Sequence, residues 1–183
     1  MKKKIYLIRH CKASGQDLEA PLTQEGRAQA ASLAAFLAGK SIDVIYSSPF
    51  KRAIDSVLPI SRACNLDVIL DQRLAERILS IKNLQDWIDK LSQTFEDKTL
   101  VFEGGESSMA AASRGLEVIQ SFLDSSYQTA AIVSHGNLIS LILNHYDESY
   151  GFEQWKALSN PDLYLLEFEG SIPDIKRVWE HPM

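Results

Sequence analysis

Short apolar runs alternate with helix-patterned stretches along almost the whole chain, and this alternation constrains the fold more than any other feature. Lys4–Ile8, Ile42–Tyr46, Asp67–Leu70 and Thr129–Val133 read as strands. Between them the apolar residues repeat at helical spacing. Thr23 is an N-cap for a helix through Ala38, with Ala30, Leu33, Ala34 and Leu37 on one face and Gly39 after it. Ser48 as cap and Pro49 at the first helical position start a second helix that runs to about Cys64. A third is expected over Asn83–Phe95, with Leu84, Trp87, Ile88 and Leu91 on one side. Glu103-Gly104-Gly105-Glu106-Ser107 reads as a turn and cap before a helix to about Leu123. Another helix runs from Gly136 to about His145, and Leu163–Phe168 with Ile175–Val178 forms a closing hairpin turned at Gly170 and Pro173. Strands that alternate with helices of this length build βαβ units. The expectation is an α/β fold, three-layer αβα with a mostly parallel central sheet, as a single domain over residues 1–183.

Charge narrows the partners. Lys and Arg number 19 against 24 Asp and Glu, a net charge of −5. That balance argues against nucleic acid or an anionic membrane as the main partner, since both need a basic surface. Oligomeric state is left open. No apolar run approaches the ~18 residues of a membrane span. Lys2-Lys3-Lys4 precedes only four apolar residues, Ile5 to Ile8, too few for a secretory signal. The two cysteines, Cys11 and Cys64, make no CxxC pair, which fits a reducing compartment, so a cytoplasmic location is expected.

In an open α/β sheet ligands bind beyond the carboxyl ends of the strands, so the residues at those ends are the candidates for chemistry. Arg9-His10 ends the first strand, and Ser47-Ser48-Pro49 with Lys51-Arg52 ends the second. Arg73 to Arg77 come soon after the third, and Ser134-His135-Gly136 ends the fourth. Two of the chain's four histidines, several arginines and one glutamate thus gather at one edge. This set suits phosphoryl transfer, which depends on positioning and charge stabilisation. Arginine forks match phosphate oxygens, a neutral imidazole can attack phosphorus, and a carboxylic acid can protonate the departing oxygen. Helix N-termini at Ser48 and after Gly136 add aligned N–H groups. Rival chemistries fail on spacing. Gly39-Lys40-Ser41 comes after a helix, not the strand a P-loop needs, and lacks its first glycine. A Cys-x5-Arg phosphatase would need arginine at Asp17 or Leu70, and neither a DxD nor a GxSxG motif occurs.

Arg9-His10, Ser47-Ser48-Pro49 with Arg52-Ala53, Leu74-x-Glu76, Gly104-Gly105-Glu106-Ser107 and Ser134-His135-Gly136, in that order, resemble the histidine phosphatase superfamily, which includes phosphoglycerate mutases and many phosphatases. The Leu22-Thr23-x-x-Gly26 helix start is similar too. The resemblance implies that His10 becomes phosphohistidine. It implies that Arg9, Arg52 and His135 hold the phosphoryl oxygens, and that Glu76 is general acid and then base. It adds Gln16, at the place of the family's asparagine, and the backbone around Gly136-Asn137 as phosphate contacts. It implies no metal and no cofactor. Cys11 stands where the family has glycine, and Ser80 falls in a run where a glycine is usual. Only twelve residues separate His10 from Thr23, a short cover that favours a phosphatase over a mutase. The loop Arg9-His10-Cys11-Lys12-Ala13 followed by Pro21-Leu22-Thr23 is similar to that of the small phosphohistidine-protein phosphatases, so a phosphorylated small molecule and a phosphoprotein are both expected substrate classes. A phosphate-binding or regulatory domain with little turnover, and a mutase, stay open as alternatives. So do blander readings: Glu76 paired with Arg73 or Arg77 in a surface salt bridge, Gly104 to Ser107 as turn and cap alone, and Trp87, Trp155 and Trp179 as packing at core or rim.

Overall fold

The strand Lys3–Arg9 (β1) explains most of the architecture. Its residues alternate between two faces, as the pleat requires. Ile5 and Leu7 enter one buried apolar cluster, and Tyr6 and Ile8 enter another. A strand buried on both sides must be covered on both sides by helices. The computed structural model describes residues 2–179 and shows that arrangement.

Six strands form one sheet in the order β3-β2-β4-β1-β5-β6. Val44–Ser47 (β2), Val68–Leu70 (β3) and Thr129–Ser134 (β4) run parallel to β1. Asp162–Phe168 (β5) is antiparallel to β1, and Pro173–Arg177 (β6) is antiparallel to β5. The sheet is therefore mixed, with a parallel centre closed on one side by the hairpin. The β1–β4 register pairs Arg9 with Ser134, and the His10 N–H donates to the Ser134 carbonyl at 3.0 Å. Arg9-His10 and His135 are thereby fixed side by side.

The helices Gln24–Leu37 (α1) and Lys51–Cys64 (α2) cover one face. Thr23 caps α1 by accepting from the Gly26 N–H at 3.0 Å, as its sequence position predicts. Gly26 itself packs so close to the Lys12 carbonyl that no side chain would fit, which ties α1 to the loop after β1. On the other face lie Ser108–Leu123 (α4), capped by Ser107 through the Ala110 N–H at 3.0 Å, and Gly136–Tyr146 (α5), whose residues through Asn144 are all buried. Trp87–Glu96 (α3) and Phe152–Lys156 (α6) meet over the carboxyl edge of the sheet.

Several boundaries differ from the sequence reading. The second helix begins at Lys51, not at Ser48-Pro49, because the Ser48 hydroxyl is engaged with a histidine across the sheet edge. The third begins at Trp87, so Asn83 to Asp86 are not helical. Pro173 opens β6 rather than sitting in the turn. A 3-10 turn over Gln72–Leu74 and the short helix α6 had no clear periodicity to announce them. His181 lies outside the described residues. No helix among the described residues is long and apolar enough to cross a membrane.

Candidate active site

β1 ends by delivering Arg9 and His10 to the sheet's carboxyl edge, and the segment leading into β5 closes over them. The Arg9 guanidinium donates to the Leu158 and Ser159 carbonyls at 3.1 and 3.2 Å, and the Asn160 amide donates to the His10 carbonyl at 2.8 Å.

The His10 ring is almost fully buried. Its Nδ1 lies 2.7 Å from the Cys11 carbonyl, an acceptor, so Nδ1 carries the proton. The lone pair is then on Nε2, where the Arg52 Nε–H donates into it at 3.2 Å. Burial pushes His10 down to about 3, and the charges of Arg52 and Arg9 act in the same direction. The ring is neutral at physiological pH. His135, from the N-terminus of α5, stands with its ring centroid 5.1 Å from that of His10. Burial first, then His10 and the surrounding arginines, hold it well below its ordinary value. The Ser48 hydroxyl is 2.7 Å from His135 Nε2.

Arg52, on the first turn of α2, is buried to 1% exposure. Its guanidinium donates to the Gln16 and Asp17 carbonyls at 2.8 and 3.0 Å and lies over the Phe50 ring, 4.7 Å from the centroid. Gln16 thus serves Arg52 through its backbone, while its side chain lines the adjoining cavity. Gly136 allows Arg9 to pass: a Cβ there would sit 3.0 Å from Arg9 Nε.

Glu76 comes just after the 3-10 turn and reaches the start of α5. One carboxylate oxygen accepts from the Arg77 and Leu138 N–H groups at 2.8 and 3.0 Å, the other from the Asn137 N–H at 3.1 Å. Neither sequence-suggested salt bridge forms. Arg73 turns to Asp71 at 2.7 Å and Glu117 at 3.5 Å. The Arg77 guanidinium donates to the Glu106 carbonyl at 3.0 Å and to Thr94 Oγ1 at 2.7 Å.

A cavity of about 410 Å³ opens beside these groups. Arg9, Gln16, Glu76, Gly136 and Asn137 form its polar end; Arg77, Leu79, Leu91, Trp87 and Trp155 form the rest. Buried polar atoms without a protein partner belong to the cavity residues, namely Arg9 Nε, Arg77 Nη2 and both amide atoms of Asn137, and to His135 through Nδ1, next along the chain from Gly136. Buried donors are normally satisfied, so this concentration marks a place for an acceptor-rich ligand. Among the described residues no three of His, Cys, Asp or Glu converge as a metal site would require.

All eight sequence-predicted residues therefore come to one edge, with Gln16 there by side chain and backbone. Sequence reasoning missed Ser48 as partner of His135, Asn160 as anchor of His10, and Arg77 as a cavity wall. It also missed Arg114, whose Nη1 donates to the Arg73 and Ala75 carbonyls at 2.6 and 2.8 Å while Glu106 grips the guanidinium at 2.7 and 2.9 Å. Glu106 of the Gly-Gly-Glu-Ser stretch was a visible signal for that last contact; the others are set by tertiary packing alone.

A neutral imidazole pair, the buried Arg52 and half-buried Arg9 guanidiniums, a helix N-terminus and a carboxylate at the end of the parallel centre of an α/β sheet define a class of protein that handles phosphoryl groups. The family model of the histidine phosphatase superfamily, branch 1, matches residues 5–181. Phosphoserine phosphatase 1 of Hydrogenobacter thermophilus is 31% identical over 152 residues, 72% of this chain and 70% of that one. A 2,3-bisphosphoglycerate-dependent phosphoglycerate mutase of Thermoplasma acidophilum is 49% identical over 55 residues, 30% of this chain and 28% of that one. Among solved structures, a mycobacterial glucosyl-3-phosphoglycerate phosphatase superposes with a TM-score of 0.78 at 22% identity, covering 97% of this chain and 98% of its own. The chain belongs to the histidine phosphatase superfamily and is a phosphatase of it.

Proposed function

We propose that the protein hydrolyses phosphorylated small molecules through a phosphohistidine on His10 Nε2, without a metal or cofactor. The observation that carries this reading is the neutral His10 ring, with Nδ1 tied to the Cys11 carbonyl and its Nε2 lone pair held against the Arg52 guanidinium. In the first step the Nε2 lone pair attacks phosphorus and the ester P–O bond breaks. Glu76, as a carboxylic acid, gives its proton to the leaving oxygen. Arg52 Nε–H turns from the ring to a phosphoryl oxygen, which frees the lone pair. Arg9, His135 Nδ1–H and the Asn137 amide supply further donors where charge develops. The Cys11 carbonyl steadies the proton on Nδ1 as the ring becomes cationic. In the second step Glu76 takes a proton from water, the water oxygen attacks phosphorus, and the N–P bond breaks. Phosphate leaves and His10 is neutral again.

A small-molecule phosphomonoester fits the cavity, whose volume lies within the ~300–1,000 Å³ of ligand sites. The relatives named for phosphoserine and glucosyl-3-phosphoglycerate support the same class. The test is phosphate release from a panel of metabolite phosphates and a phosphoprotein, with a chelator present, by wild type and His10→Ala. Wild type is expected to turn over and to yield an acid-labile phosphoenzyme on rapid quench. His10→Ala is expected to lose at least ~10³-fold in rate while keeping its thermal transition. Turnover by a folded His10→Ala protein would overturn the reading. Phosphate binding without release by wild type would favour a binding domain.

A further inference from the structure

The phosphoryl-binding end takes up only part of the cavity, and beyond Glu76 the walls change character. The leaving group must lie on the Glu76 side of phosphorus, because Glu76 protonates it. The cavity residues next along the chain are Arg77 and Leu79, and opposite them stand Trp87 and Leu91 of α3 and Trp155 of α6. The two indoles meet edge to face with centroids 6.0 Å apart. Trp155 is braced by Phe152, stacked at 5.5 Å and 21°, and Phe152 in turn meets Phe95 at 6.1 Å. α6 buries none of its residues fully, so this aromatic row is what seats it on α3. Trp87 is left 45% exposed at the mouth. A large indole held at the rim of a polar site is apolar area kept available for a ligand. Arg77 is the one charged group on this side. Two of its nitrogens are committed to Glu106 and Thr94, and its delocalised guanidinium suits a π-face.

We infer that Trp87, Trp155 and Arg77 form a leaving-group subsite for an aromatic alcohol, so that benzyl-type phosphomonoesters are taken in preference to compact polar ones. The inference rests on the phosphomonoesterase reading and names its substrate class. Edge-to-face contacts with two indoles favour a flat ring over an alkyl chain of equal area. The phosphate then occupies the polar end formed by Arg9 and Asn137, on the side of His10, with Glu76 at the ester oxygen between the two.

Binding is tested with phosphonates, which cannot be hydrolysed. Benzylphosphonate is expected to bind wild type about tenfold more tightly than methylphosphonate by calorimetry. Trp155→Ala and Trp87→Ala are expected to remove most of that advantage, and Trp155→Phe to retain part of it. Thermal melts identify any variant that fails to fold, in which case the Phe variant and the wild-type comparison decide. Turnover is tested with benzyl phosphate against ethyl phosphate, whose alcohols have similar acidity. Preference of about tenfold in kcat/KM, carried mainly by KM, is expected. Equal binding of the two phosphonates by wild type overturns the subsite. So does tighter binding of 2-amino-3-phosphonopropionate than of benzylphosphonate, which would assign the wall to a carboxylate on the free Arg77 nitrogen. Hydrolysis of both esters without discrimination removes the subsite and leaves the phosphatase reading standing. Tryptophan-dependent benzylphosphonate binding with no turnover of either ester does the reverse.

Discussion

His10 and His135 are imidazoles that refuse protons inside a wall of arginine. The unfolded chain protonates such rings near 6.5, whereas folding holds His10 neutral down to about 3. Below 6.5 the unfolded state therefore binds more protons, and stability falls as pH is lowered toward 3. The contribution is fully present above about 6.5. Urea midpoints measured between pH 7.5 and 4.5 should drop for wild type, and drop less for His10→Gln. Equal slopes would show that the rings titrate alike in both states. Glu76 allows a second residue-level test. In Glu76→Gln an amide oxygen can still accept from the α5 N-terminus, but no proton can be delivered. A loss of ~10²–10³-fold in kcat/KM, which reports the step that expels the leaving group, is expected for alkyl esters, and much less for p-nitrophenyl phosphate, whose leaving group needs no proton. Uniform loss across leaving groups would make Glu76 a positioning residue. Arg9, His10 and His135 were legible because a strand end announces them, and Arg52 because it comes after Ser-Ser-Pro. Ser48 was misread because Ser-Pro is also a sound helix start. Only the fold shows that its hydroxyl faces His135 instead.

At the level of elements, the loop that carries Glu76 has little regular structure of its own. It is held instead from the turn before α4, from the end of β4 and from Arg114 of α4. Gly105 lies so close to the Leu79 carbonyl that a side chain would displace it. The Glu106 N–H donates to the Ile78 carbonyl at 2.9 Å, and Ser134 Oγ donates to the Leu74 carbonyl at 2.8 Å. Arg114 ties both segments through Glu106 and the Arg73 and Ala75 carbonyls. Arg114→Met should free that loop, lowering kcat about tenfold or more while KM for a small phosphoester changes little. A change confined to KM would place Arg114 in binding instead. The turn and cap at Gly104 to Ser107 were readable from glycine and serine placement. Its second task, holding the loop that carries Glu76, depends on a contact with a helix residue that no spacing rule marks.

For the whole molecule, the parallel centre was legible from apolar runs, and the closing hairpin from two such runs with Gly170 between them. The hairpin's service to the site was not. Asp162, fully buried at the start of β5, accepts from Arg177 at 2.9 and 2.6 Å and from the Ser159 N–H at 3.0 Å. It thereby sets the loop whose carbonyls clamp Arg9. Asp162→Ala should cost ~1–3 kcal/mol, because the Ser159 and Leu163 N–H groups lose their acceptor while the exposed Arg177 side chain turns to water, and should weaken phosphate binding as well. Chemical denaturation with phosphate titration would check both; loss of stability alone would separate β5 from the site.

The β1–β4 register divides the molecule into a part that resists alteration and a part that tolerates it. The spacing between the His10 and His135 rings is set by ladder hydrogen bonds deep in the sheet. The apolar walls of the cavity hang from α3 and α6, which take no part in that ladder. Chemistry and selectivity thus belong to separable parts of the chain. Segments around 79–96 and 147–156 behave as interchangeable fittings on a fixed socket, and exchanging them should retune what is dephosphorylated without rebuilding how.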